Sequence, residues 1–134
     1  MPWATYDTTS FPHIKVTLNG SIKDDADFNH FTQQWLNLYE YKQDFYMTFD
    51  ASDVGMVNPK YAFRMSSFIR RLKYMNADYE YLKASNIMYD SFYVKMLLKL
   101  IFAMQSPVAP VTLIKKGQEN SGEVYNVKQV QRST

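Results

Sequence analysis

The chain has 134 residues, a length that suits one domain. Hydrophobic residues make up 46% of it and aromatic residues 16%, which is ample for a packed core and argues against global disorder. There are 15 basic and 13 acidic residues, and the net charge of +2 gives no electrostatic reason to expect a nucleic-acid binder. Cysteine is absent, so the chain has no disulfide, no thiol nucleophile and no cysteine-based metal site.

The most apolar stretch of the sequence is too short to span a bilayer. Residues 94–104 are interrupted by Lys95 and Lys99 and fall well below the roughly 20 residues that a membrane-spanning helix needs. Residues 1–10 lack the basic start and the apolar run of a signal peptide. We therefore expect a cytoplasmic protein without membrane insertion.

Alternating apolar residues predict the strands. Ile14, Val16 and Leu18 alternate with polar neighbours, the period-2 pattern of a half-buried strand, and Gly20 ends it. Further strands are predicted over residues 45–49, 81–89 and 111–114, with a short edge strand over residues 3–8.

Three segments between the strands predict helices, because their apolar residues recur at helical spacing. Side chains that suit a helix start precede them: Asp24 or Asp25, Asn58 with Pro59, and Asp90 or Ser91. The predicted buried stripes are Phe28, Phe31, Trp35 and Leu38; Tyr61, Ala62, Met65, Phe68, Ile69, Leu72 and Met75; and Val94, Leu97, Leu98, Ile101 and Met104.

Strands that alternate with single helices predict an α/β fold. We expect one domain over residues 1–116, with three main helices and a single-layer, mostly parallel sheet of about four to five strands. Residues 117–134 are predicted to form a polar, mobile tail, apart from a short turn near residues 124–130. Binding surfaces in such sheets form where strand carboxyl ends meet helix starts, which here indicates residues 50–60.

Two short segments resemble the STAS domain, the module of bacterial anti-sigma-factor antagonists and of sulfate-transporter cytoplasmic regions. Residues 18–22 (Leu-Asn-Gly-Ser-Ile) are similar to a strand-ending Leu-x-Gly-x-Leu pattern of that family. Residues 49–54 (Phe-Asp-Ala-Ser-Asp-Val) resemble its hydrophobic–Asp–Leu–Ser–Gly–Val segment. The resemblance extends over residues 14–114 and implies a non-catalytic regulatory or scaffold module that docks a protein partner.

The sequence departs from that family where its second helix opens. The family has Asp-Ser-Ser-Gly there, with a serine that a partner kinase phosphorylates, whereas this chain has Asn58, Pro59, Lys60 and Tyr61. Neither Pro59 nor Lys60 carries a hydroxyl, so we expect the phosphorylation switch to be missing while the docking surface remains.

The predicted docking surface comprises the loop and the start of the second helix: Ser52, Asp53, Gly55, Met56, Asn58, Pro59, Lys60, Tyr61 and Arg64. A purely structural interpretation competes with this one. Asp50 and Ser52 can satisfy the backbone of the loop, and Asn58 can simply cap the helix. Ser66 and Ser67 are alternative phosphorylation sites, although small residues on a helix more often permit close packing.

Other functions find less support in the sequence. His13 and His30 stand alone, so we expect neither a metal nor another cofactor. No nucleophile elbow or glycine-rich phosphate loop occurs, and the acid–base pair that remains conceivable, Asp50 and Asp53, is a nonspecific signal, so we expect no enzyme. The alternative function is a small-ligand or lipid carrier, because the many Phe, Tyr and Met residues could line a cavity. A weak homodimer is compatible with either function.

Overall fold

The computed structural model describes residues 2–75, 81–118 and 122–126. Over these ranges the chain forms six strands, three α-helices and one short 3-10 helix. The strands are β1 (Ala4–Asp7), β2 (His13–Leu18), β3 (Phe45–Ala51), β4 (Leu82–Tyr89), β5 (Val111–Lys115) and β6 (Glu123–Tyr125). The helices are α1 (Asp25–Leu38), α2 (Lys60–Met75) and α3 (Phe92–Met104), and the 3-10 helix is Tyr39–Tyr41. None of the described helices is long and apolar enough to cross a membrane.

The six strands form one mixed sheet whose spatial order follows the chain, from β1 to β6. The four central strands, β2 to β5, are parallel, and the edge strands β1 and β6 are antiparallel to their neighbours. Crossovers between parallel strands are right-handed in nearly all proteins. From β2 to β5, each strand pairs on the same side of the strand before it. Right-handed crossovers therefore place α1, α2 and α3 on the same face of the sheet.

The core lies between that face and the helices. Its almost fully buried side chains are Ile14, Val16, Phe45, Met47, Leu72 and Leu113. Aromatic rings fill the part beneath α1, where the Trp35 ring lies 5.2 Å from that of Phe49 and 5.4 Å from that of Phe68. These edge and tilted contacts join α1, β3 and α2 into one hydrophobic cluster.

The other face of the sheet carries mainly polar side chains. One row that runs across all six strands consists of Asp7, Lys15, Thr48, Asn86, Thr112 and Val124. None of the described helices lies on this face of the sheet. The alternation of buried and polar residues along the strands therefore comes from a sheet that is covered on one face.

The predicted number of strands and their predicted relative directions were partly wrong. The fold is α/β with three helices, but the sheet has six strands and is mixed. The additional strand, β6, lies inside the predicted polar tail, and its three residues are too few to give a strand pattern. Lys95 and Lys99 pair with its Glu123 at 3.5 and 3.7 Å, which ties this edge to α3. Residues 119–121 and 127–134 of the predicted tail lie outside the described residues.

Two local predictions also need correction. The strand predicted over residues 45–49 extends further, because the pairing of β3 with β4 continues through Asp50 to Ala51, which lies opposite Tyr89. On α3, only Val94 and Ile101 are fully buried, whereas Leu97, Leu98 and Met104 are partly exposed. The predicted buried stripe of α3 is therefore less closely packed than its sequence suggests.

Truncation of a core leucine should test this core. We expect Leu72→Ala to lower the free energy of unfolding by about 2–5 kcal/mol, since Leu72 is 1% exposed and its removal leaves a cavity. The matched variant Leu100→Ala, on the outer side of α3, should change it by about 0.5 kcal/mol or less. Urea unfolding followed by circular dichroism measures both. Equal losses in the two variants would contradict the inward orientation of α2.

Candidate functional site

The loop after β3 begins with a self-contained turn. The Asp50 carboxylate accepts hydrogen bonds from the Ser52 backbone N–H at 3.1 Å and from the Ser52 hydroxyl at 2.5 Å. These two bonds, with the charges of Lys15 and Lys116, hold the pKa of Asp50 below its usual range. Asp50 and Ser52 thus have the structural role that was the alternative to binding.

The two segments that resemble the STAS family meet at this loop. The Ser21 hydroxyl, from the first segment, accepts a hydrogen bond at 3.1 Å from the backbone N–H of Gly55, which follows the second. Gly20 has a positive φ of 77°, a conformation that favours glycine, and it turns the chain after β2. The Trp3 indole N–H donates to the Gly20 carbonyl at 2.7 Å and fixes this turn.

The end of the loop is anchored to two helices. The Asn58 side chain accepts from the Lys60 backbone N–H at 3.0 Å, so it caps α2 as the sequence predicts. The Tyr93 hydroxyl on α3 donates to the Val57 carbonyl at 2.5 Å. Met56 directly precedes these two anchored residues, projects outward and is 73% exposed. This loop therefore offers a partner one large apolar side chain, beside the exposed polar side chains of Asp53 and Asn58.

The charged residues at the start of α2 already have an intramolecular partner. The Asp25 carboxylate on α1 lies 3.4 Å from the Lys60 ammonium and 3.1 Å from the Arg64 guanidinium. It also accepts a hydrogen bond from the Tyr61 hydroxyl at 3.0 Å. Tyr61 is itself buried, so its side chain is not available to a partner.

The two candidate phosphorylation sites differ in exposure. Ser66 is buried, and its hydroxyl donates to the Phe63 carbonyl at 2.8 Å. Ser67 is exposed and lines a groove between α1 and α2. Only Ser67 therefore presents a hydroxyl at the surface of this helix segment.

A set of exposed apolar side chains on α3 was missed at the sequence level. Phe92, Met96 and Leu100 are 73%, 48% and 39% exposed and lie at spacings of four residues, so they share one side of the helix. We call these three residues the α3 ridge. A signal was present in the sequence, because apolar residues occur on α3 outside the predicted buried stripe.

A cavity of about 160 Å³ lies between the helices and the inner face of the sheet. Apolar side chains from α2, α3, β4 and β5 form much of its lining, among them Ala62, Ile69, Ile87, Val94, Leu98 and Val111. Neither Asp50 nor Asp53 lines it.

The histidines and acidic residues form no metal-binding cluster within the described ranges. The His13 ring stacks on that of Tyr46, with centroids 5.1 Å apart, on the open face of the sheet. Asp24 caps α1 by accepting from the backbone N–H of Asp27 at 3.0 Å. The aspartates near residue 25 are thus used in helix capping and in the contact with α2.

Comparison of the chain with protein-family models, with curated proteins and with solved structures finds no match.

The Asp25–Tyr61 contact should be visible in the acid unfolding of the protein. The Tyr61 hydrogen bond, followed by Lys60 and Arg64, lowers the pKa of Asp25 from 3.8. A carboxyl whose pKa is lowered by folding stabilises the native state above its unfolded pKa, and this stabilisation is lost as the pH falls below about 4. We expect Asp25→Asn to have a shallower loss of stability in urea titrations between pH 6 and pH 2.

The variant Tyr61→Phe is the matched control, because it removes only the donor of the strongest of these bonds. The pKa of Asp25, measured from its side-chain carboxyl carbon by NMR, should move upward in this variant. An unchanged titration would show that the hydrogen bond between Tyr61 and Asp25 does not form in solution.

Proposed function

We propose that this protein is a non-catalytic, cytoplasmic protein-binding module of STAS-like character, regulatory or scaffolding in role. Its docking surface comprises Met56 and the α3 ridge. The observation that carries the proposal is the exposure of these large apolar side chains on a protein that has a core in which to bury them. Clustered exposed apolar residues commonly mark interaction sites in monomeric domains.

The contact between Tyr93 and Val57 supports the assignment of Met56 and the ridge to one surface. Met56 and Phe92 directly precede the two bonded residues, so the loop and the first turn of α3 lie side by side. Burial of a Phe, Met or Leu side chain contributes about 1.5–3 kcal/mol each before the costs of association. These four side chains can thus form the apolar centre of an interface.

The position of this surface agrees in part with the one that the family resemblance implies. Met56 belongs to both surfaces, whereas Lys60 and Arg64 of the implied surface already pair with Asp25. Pro59 and Lys60 carry no hydroxyl and Ser66 is buried, which favours a contact that is not switched by phosphorylation at these three positions. Docking is then constitutive or is regulated in another way.

The experiment has two stages. The protein with its partner is captured by crosslinking in the native cell lysate, and the partner is identified by mass spectrometry. The purified partner is then titrated with the wild type and with the double variant Met56→Ser, Met96→Ser. We expect about a tenfold or larger loss of affinity, since central interface residues cost more than 1 kcal/mol when truncated.

Two controls separate this surface from others. Tyr74→Ser removes an exposed aromatic residue in the last turn of α2 and should leave the affinity unchanged. Lys60→Glu with Arg64→Glu tests the charged surface, for which we expect only a small effect. If the charge variant loses binding while the Met variant retains it, docking occurs at α2. Self-association that disappears in the Met variant would identify a second copy as the partner.

A further inference from the structure

The cavity beneath α2 and α3 has an almost wholly apolar lining with a single hydroxyl that lacks a partner. Ser85 lies on β4, where its register opposite Met47 and Val111 places it on the inner face of the sheet. It is 4% exposed and lines the cavity. Among the residues that the structure describes, no hydrogen-bond partner of the Ser85 hydroxyl is found.

The other polar side chains of the lining are satisfied. The Trp3 indole N–H donates to the Gly20 carbonyl at 2.7 Å, and that of Trp35 donates to the Tyr39 hydroxyl at 3.3 Å. The Tyr61 hydroxyl donates to Asp25. The Ser85 hydroxyl therefore differs from the other polar groups of the lining in having no partner within the described part of the chain, whereas buried polar groups are normally hydrogen-bonded.

Water is a poor occupant of such a space. A buried water needs two to four polar partners, and the side chains of this lining offer one that is free. The volume of about 160 Å³ is close to that of an engineered apolar cavity of about 150 Å³ that stays dry and binds benzene. An apolar molecule that carries one hydrogen-bonding oxygen fits both the space and the free hydroxyl.

We propose that the cavity is a binding site for a small apolar molecule, a ring or a short alkyl chain, that bears one hydroxyl or carbonyl oxygen. The Ser85 hydroxyl binds this oxygen, and the side chains of α2, α3 and β5 enclose the hydrocarbon part. The site lies inside the domain and does not depend on Met56 or on the α3 ridge. Either proposal can fail without the other.

The test uses phenol and toluene, which are similar in shape and differ in the oxygen, with 1-hexanol as the alkyl probe. Binding to the full chain is followed by methyl NMR. We expect saturable shifts of the Val94, Leu98 and Val111 methyl groups and intermolecular contacts between these methyls and the probes. In Ser85→Ala, the ratio of phenol to toluene affinity should fall about fivefold or more, as expected for loss of one hydrogen bond.

Two further variants make the outcome decisive. Ser67→Ala removes an exposed serine outside the cavity and should leave the affinity ratio unchanged. Ala62→Leu places added bulk in the cavity, and a folded Ala62→Leu protein should lose both aromatic probes. The proposal is overturned if no probe gives saturable methyl shifts in the wild type, if Ser85→Ala leaves the ratio unchanged, or if folded Ala62→Leu binds as the wild type does. Binding of 1-hexanol alone would retain the site and restrict it to alkyl ligands.

Discussion

The constraint on which the molecule depends is the order of its strands. Each parallel strand from β2 to β5 is added beside the preceding one in the same direction, and right-handed crossovers then leave all three helices on one face. The apolar core between the sheet and the helices is therefore a single layer. The other face stays polar, as the row of Lys15, Thr48 and Asn86 shows, because no helix in the described ranges can cover it.

This single layer is filled unequally. Around α1, the rings of Phe31, Trp35 and Phe49 interlock and occupy the space over β2 and β3. The cavity borders these rings and is otherwise lined mainly by aliphatic side chains of α2, α3 and β5 and by Ser85, which has the smallest side chain on the inner face of β4. A serine there leaves room that a leucine or phenylalanine would fill. The cavity is thus a consequence of side-chain volume at a few positions.

The predictions succeeded where the decisive information is local. The period of apolar residues indicated β2 to β5 and the three helices, and the capping roles of Asn58 and Ser91 follow from chemistry within three residues. Non-local facts were inaccessible. The pairing of Asp25 with Lys60 and Arg64 depends on how α1 lies beside α2, and β6 is formed by its pairing with β5. The free volume beside Ser85 is likewise set by packing between distant segments.

The helix α3 has an apolar surface on two sides, which connects the two proposed sites. Val94 and Leu98 face the cavity, whereas Phe92 and Met96 face outward. The helix contacts the loop after β3 through Tyr93 and contacts β6 through Lys95 and Lys99. A ligand that changes the position of α3 also changes the surface that the partner contacts. Reciprocity then requires that the partner alter ligand affinity by the same factor.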